Sequence, residues 1–77
     1  MPRYFFDVKD ADTYRRDEVG LDLADDEAAR KHVGSLLPSV VQHSLPDGTP
    51  HAFECSARNG AGMVVYRGEL LFRGVRP

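Results

Sequence analysis

The sequence predicts an α+β domain of order ββαββ, in which a four-stranded, mostly antiparallel sheet carries one helix on one face. Three observations predict it. Only the stretch from Asp25 to Leu45 repeats its apolar residues with a helical period, the segments on either side alternate with period two, and turn residues separate the alternating segments. With 77 residues there is room for one domain, and a chain of this size buries only about 60% of its unfolded surface, so its core is small.

Arg3 to Lys9 alternates, setting Tyr4, Phe6 and Val8 on one side and Arg3, Phe5, Asp7 and Lys9 on the other. Asp10, Ala11 and Asp12 supply turn chemistry, because Asp side chains bond the backbone ahead of them. The return arm, Thr13 to Glu18, carries Arg15, Arg16, Asp17 and Glu18, charges with which an edge strand resists further pairing. Gly20 breaks the pattern, and Leu21 and Leu23 are expected to tie the connection onto the core.

Asp25 is placed as the N-cap of the helix, with Asp26 and Glu27 in the first turn, where negative charge meets the positive end of the dipole. Asp26 with Arg30 and Glu27 with Lys31 are acid-before-base pairs at i,i+4, each worth about 0.2–0.5 kcal/mol. Ala29, Val33, Leu36, Leu37, Val40, Val41 and Ser44 form the face that needs a sheet. Pro38 removes one N–H and pushes its ring toward the carbonyl of Gly34, which predicts a kink or a split into two helices, with a stop at Leu37 as the alternative.

Leu45 to Pro50 is a turn cluster. His51 to Arg58 then sets Phe53, Cys55 and Ala57 opposite Ala52, Glu54 and Ser56, and Asn59-Gly60-Ala61-Gly62 makes a hairpin turn. The last strand, Met63 to Phe72, presents Val64, Tyr66, Gly68, Leu70 and Phe72 on one side and Met63, Val65, Arg67, Glu69 and Leu71 on the other. Gly68 marks a bulge or a close approach of the helix. Gly74 to Pro77 reads as a frayed end.

Net charge is −2, with nine acids against four bases in residues 1–27 and three against six in residues 28–77. Pairing the first strand with the C-terminal hairpin would mix those signs. The single Cys55 has no second thiol for a disulfide or a C-x-x-C site. No apolar run resembles a signal peptide or a membrane span, and a cytoplasmic protein with no membrane partner is expected.

The opening M-P-R-Y-F-F-D-V, the D-E-x-G-L-D-L at 17–23 and the D-x-E-A-A-R at 25–30 resemble a family of short uncharacterised alphaproteobacterial proteins, a domain of unknown function. The resemblance covers the first thirty residues and, in outline, the C-terminal hairpin. It implies a bacterial cytoplasmic origin and, the family having no assigned activity, almost nothing about function. The layout is also similar to that of bacterial antitoxins of the HicB-like type, an analogy of shape that carries no function.

Chemistry is sparse. His32 and His43 stand about 16 Å apart along a helix, and His51 and Cys55 about 13 Å apart along a strand, too far for one ion. Asp10 and Asp12 begin like a calcium loop, but Arg15 replaces its glycine and Leu21 its terminal glutamate. No metal, no cofactor and no catalytic residue is assigned, and a non-enzymatic role is expected. The first expectation is instead a binding module that forms a homodimer or docks a partner protein. Phe5, Met63, Val65 and Leu71 point away from the helix in the alternation and would form an apolar patch on the open face. A register slip at Gly68 would turn some of them inward. The alternative is a nucleic-acid binder using Arg58, Arg67, Arg73 and Arg76, with Tyr66 and Phe72 interleaved; the pI of 5.8 counts against it.

Overall fold

The computed structural model describes residues 1–10, 12–44 and 51–77. It has an α+β fold. Strands β1 (Arg3–Asp10), β2 (Thr13–Arg15) and β3 (Leu21–Asp22) precede α1 (Asp26–Ser44), and β4 (His51–Arg58) and β5 (Val64–Phe72) follow it. The sheet runs β2-β1-β4-β5, and β3 continues along the edge of β1 that β2 occupies. All pairings are antiparallel.

One strand is added to the expected four, and the reason is local. The return arm stops at Arg15 rather than Glu18, because the Asp17 carboxylate takes over where a strand would have continued. Its Oδ2 accepts the Phe6 N–H at 3.1 Å, which lies between the β2 and β3 registers, and its Oδ1 accepts from Val19 and Gly20 at 3.0 and 3.1 Å. The chain turns at Gly20, φ +80°, and rejoins β1 with Leu21 opposite Tyr4. A Cβ at Gly20 would stand 2.9 Å from both Arg3 Cγ and Phe5 Cε1. Only glycine fits there.

Asp25 caps α1, its Oδ1 accepting the Ala28 N–H at 2.9 Å. The first-turn pairs differ from the i,i+4 expectation. Glu27 accepts from Arg30 Nε at 3.0 and 3.1 Å, and Asp26 accepts the Tyr4 hydroxyl at 2.6 Å. That bond, with burial, pushes the tyrosine pKa up to about 12. The helix neither splits nor stops at Leu37. It runs unbroken to Ser44 through Pro38, and the position its ring presses toward is Gly34, where nothing stands within 4 Å of where a Cβ would be. The turn cluster at 45–50 and Ala11 of the first turn lie outside the described residues.

The core follows the alternation. Tyr4, Phe6 and Val8 from β1, Phe53, Cys55 and Ala57 from β4, and Ala29, Val33 and Leu37 from α1 are buried, with Leu36, Val40 and Val41 packed against them. α1 lies chiefly over β4 and β5. Gly68 of β5 makes this possible, since a Cβ there would meet Val33 Cγ1 at 2.7 Å and Leu37 Cδ1 at 3.1 Å. The glycine marks the close approach, and the bulge lies elsewhere. Register slips between Ala57 and Arg58, so that Ala57 faces Tyr66 while Arg58 faces Val64, and Val65 is the extra residue.

Gly68→Ala is expected to cost about 1–3 kcal/mol by overpacking, read as a fall in Tm. Adding Val33→Ala should cost less than the two single losses summed. Strict additivity would mean that the helix is not seated on this glycine.

Candidate functional site

The helix-free face is built in rows by the strand registers. Lys9, Glu54 and Glu69 lie across from one another in turn, as do Asp7, Ser56 and Arg67, and Phe5, Arg58 and Val64. Its centre is therefore polar. Lys9 and Arg67 flank Glu54, and Arg67 Nε reaches it at 3.0 Å.

The best-organised part of this face is a buried ion pair. Asp7, 6% exposed, accepts from Arg58 Nε at 2.7 Å and from Arg58 Nη2 at 3.2 Å. The Asp17 backbone N–H donates to Asp7 Oδ1 at 3.0 Å, and the Asp17 carbonyl accepts from Arg58 Nη2 at 2.8 Å. Burial would raise the Asp7 pKa, but the guanidinium and the Asp17 N–H outweigh it and hold the carboxyl below its ordinary range. Burial acts on Asp17 in the same sense and is outweighed by the N–H groups of Phe6, Gly20 and Val19. Asp7 raises the Arg58 pKa in return. Charge that opposes across the sequence is thus paired in space.

Phe5 is half-buried, with the Arg58 guanidinium 4.8 Å above its ring. Val65 was expected on the open face. The bulge re-aims it, and it is half-buried against the hydrophobic cluster. Met63 and Leu71 are exposed, 64% and 70%, but eight residues apart, about 26 Å along the strand. The four do not meet in one patch. Of the four arginines, Arg58 is engaged with Asp7 and Arg67 with Glu54, and Arg73 and Arg76 lie exposed beyond β5. They form no common basic surface.

On the helix side, α1 leaves the β1–β2 flank uncovered, and a cleft of about 530 Å³ opens between Val8, Thr13 and Arg15 on the sheet and Leu36, Ser39 and Val40 on the helix. His32, one turn before Leu36 on α1, packs edge-on against Phe6 at 4.5 Å. His51 stacks on Phe53 at 4.5 Å and bonds the Asp10 carboxylate through Nε2. The side chain of His43 lies outside the described residues. Among the described residues, no three His, Cys, Asp or Glu side chains converge, and no helix is long and apolar enough to cross a membrane. Cys55 is fully buried, and burial, with Asp7 nearby, pushes its thiol up to about 11.

The unit built on Asp7, Arg58 and Asp17 was not singled out from sequence. The available signal was an acid at position 7 set between Phe5, Phe6 and Val8, which, once covered, a fold tolerates only beside a base.

Two outcomes check this account. A depressed pKa means the unfolded chain takes up protons first, so the contribution of Asp7 and Asp17 is complete above the ordinary carboxylate value of about 4 and drains away as pH falls through their lower folded values. Asp7→Asn should cost about 3 kcal/mol or more at pH 7 and flatten the acid limb of Tm against pH. Identical acid limbs would deny the charge this role. For the thiol, a disulfide reagent at pH 8 should modify Cys55 only at the rate of unfolding; fast stoichiometric labelling of the folded chain would contradict its burial.

The profile of a family described as a domain of unknown function, DUF6894, matches residues 3–71, the C-terminal hairpin included. No curated protein matches the chain. No solved structure matches it either.

Proposed function

Since the chain belongs to the DUF6894 family, whose description carries no activity, its surfaces are the guide, and we propose that it is a small interaction module that self-associates along the open edge of β5. One contrast carries the reading: the two edges of the sheet are treated differently. The N-terminal edge is short and blunted, three residues of β2 and two of β3 with the Asp17 carboxylate plugging the gap. The C-terminal edge is nine residues of β5 with no pairing strand beyond it among the described residues.

An edge of that length, with its outward N–H and C=O groups met by no strand among the described residues and no proline in it, is a template for another strand. Its side chains agree. Val64, Tyr66, Leu70 and Leu71 are 49%, 37%, 38% and 70% exposed, a large share of the apolar residues of one strand. The interaction surface thus moves from the middle of the helix-free face to its β5 margin. A small domain gains a larger core by such pairing. Thiol chemistry finds no support, because Cys55 is buried and its pKa raised.

Sedimentation equilibrium at about 100 µM should return twice the 8.6 kDa chain mass. Hydrogen exchange adds a local reading: alternate amides of β5 should be protected at high concentration and exchange freely on dilution. A single-chain mass with concentration-independent exchange in β5 would end this proposal.

A further inference from the structure

We propose that two copies of this chain join β5 to β5 antiparallel in one register, centred on Gly68; this rests on the self-association reading and gives it a geometry. A two-fold axis perpendicular to the sheet keeps each helix on the same side. Opposed residues must then share a face, so residue i meets residue j of the second copy only when the sum of their numbers is even.

Within that set the side chains select. Centring on Arg67 or on Glu69 would set like charges directly opposite one another, which destabilises an antiparallel pair. Centring on Gly68 sets Arg67 against Glu69 of the second copy, twice by symmetry, and Tyr66 against Leu70, also twice. The strand V-V-Y-R-G-E-L-L-F is its own complement: apolar residues, a base, glycine, an acid, apolar residues.

The single chain leaves one of these charges unanswered. Glu69 lies directly across from Glu54, and Arg67, the nearest base on its own strand, has Glu54 at 3.0 Å. Among the described residues the Glu69 carboxylate has neither an ion pair nor a hydrogen bond. It sits on the outermost strand facing a like charge inward, and the register above supplies a base from outside. At the axis itself Gly68 carries no side chain, and the space over it is filled by Val33 and Leu37 of its own helix.

Charge reversal reads the register. Arg67→Glu gives a copy with acids at both positions, and Glu69→Arg gives one with bases at both. Each alone should weaken its own dimer by about tenfold or more, while an equimolar mixture should form the mixed dimer with wild-type affinity, every pair then being acid on base. Native mass spectrometry of the two distinguishable masses measures this, with circular dichroism reporting that each variant folds. Glu69→Arg places a base across from Glu54, so its fold should be at least as stable as the wild type, and its weakened dimer decides the matter even if Arg67→Glu fails to fold. Should the wild type dimerise while the reversals pair as tightly with themselves as with each other, the register is overturned and self-association stands. A wild type that stays a single chain removes both.

Discussion

A carboxylate placed inside a small sheet stays charged only if the fold delivers a cation to it, and Asp7 has Arg58 at 2.7 Å. Much of the architecture depends on that delivery. Asp7 is on the central strand and Arg58 ends the next one, so the pair fixes β1 beside β4 in a register where Asp7 faces Ser56 and Phe5 faces Arg58. The same two side chains take hold of Asp17, one through its N–H and one through its carbonyl. Breaking a pair of this burial by removing one partner costs about 3–5 kcal/mol, a large fraction of what so small a domain has.

That arrangement also explains the asymmetry of the sheet. With Asp17 anchored, its carboxylate occupies the Phe6 N–H and the chain folds back at Gly20 to add β3, which leaves that side an edge of three and two residues with a break between them. At the other side the helix comes down onto β5 because Gly68 removes the side chain that Val33 and Leu37 would have struck. The seat of α1 is thus over β4 and β5, the cleft beside Leu36 opens over β1 and β2, and the long edge without a pairing strand among the described residues is the C-terminal one. Two small features, a side-chain plug and a missing Cβ, decide which surfaces face the solvent.

The periodic parts of this fold were legible in the residues. Alternation placed Tyr4, Phe6, Val8, Phe53, Cys55 and Ala57 inward, the four-three spacing placed Ala29, Val33 and Leu37, and Asp25 was readable as a cap. What alternation cannot see is an interruption of itself. One extra residue beside Arg58 turns Val65 inward and brings Val64 across from Arg58 on the open face, reversing the sides that counting by twos assigned to the two valines. Long-range polar pairing was equally hidden: Asp7 and Arg58 are 51 residues apart, and nothing local links them. At Pro38 local propensity left a kink, a split or a stop open, and packing of Val40 and Val41 on the core goes with one helix running through it.

The pairing of β1 with β4 has a consequence for synthesis. Within this domain β1 is made before both α1 and its partner β4, which begins at His51, and β4's own neighbour ends at Phe72. The N-terminal strands therefore leave the ribosome with half of their backbone groups unsatisfied, and the sheet closes only after nearly the whole domain has emerged. Loop closure over that distance comes before the contacts that reward it. Folding of this domain is accordingly paced by its topology, and Phe6 of β1 stays uncovered until α1 and β4 have joined it.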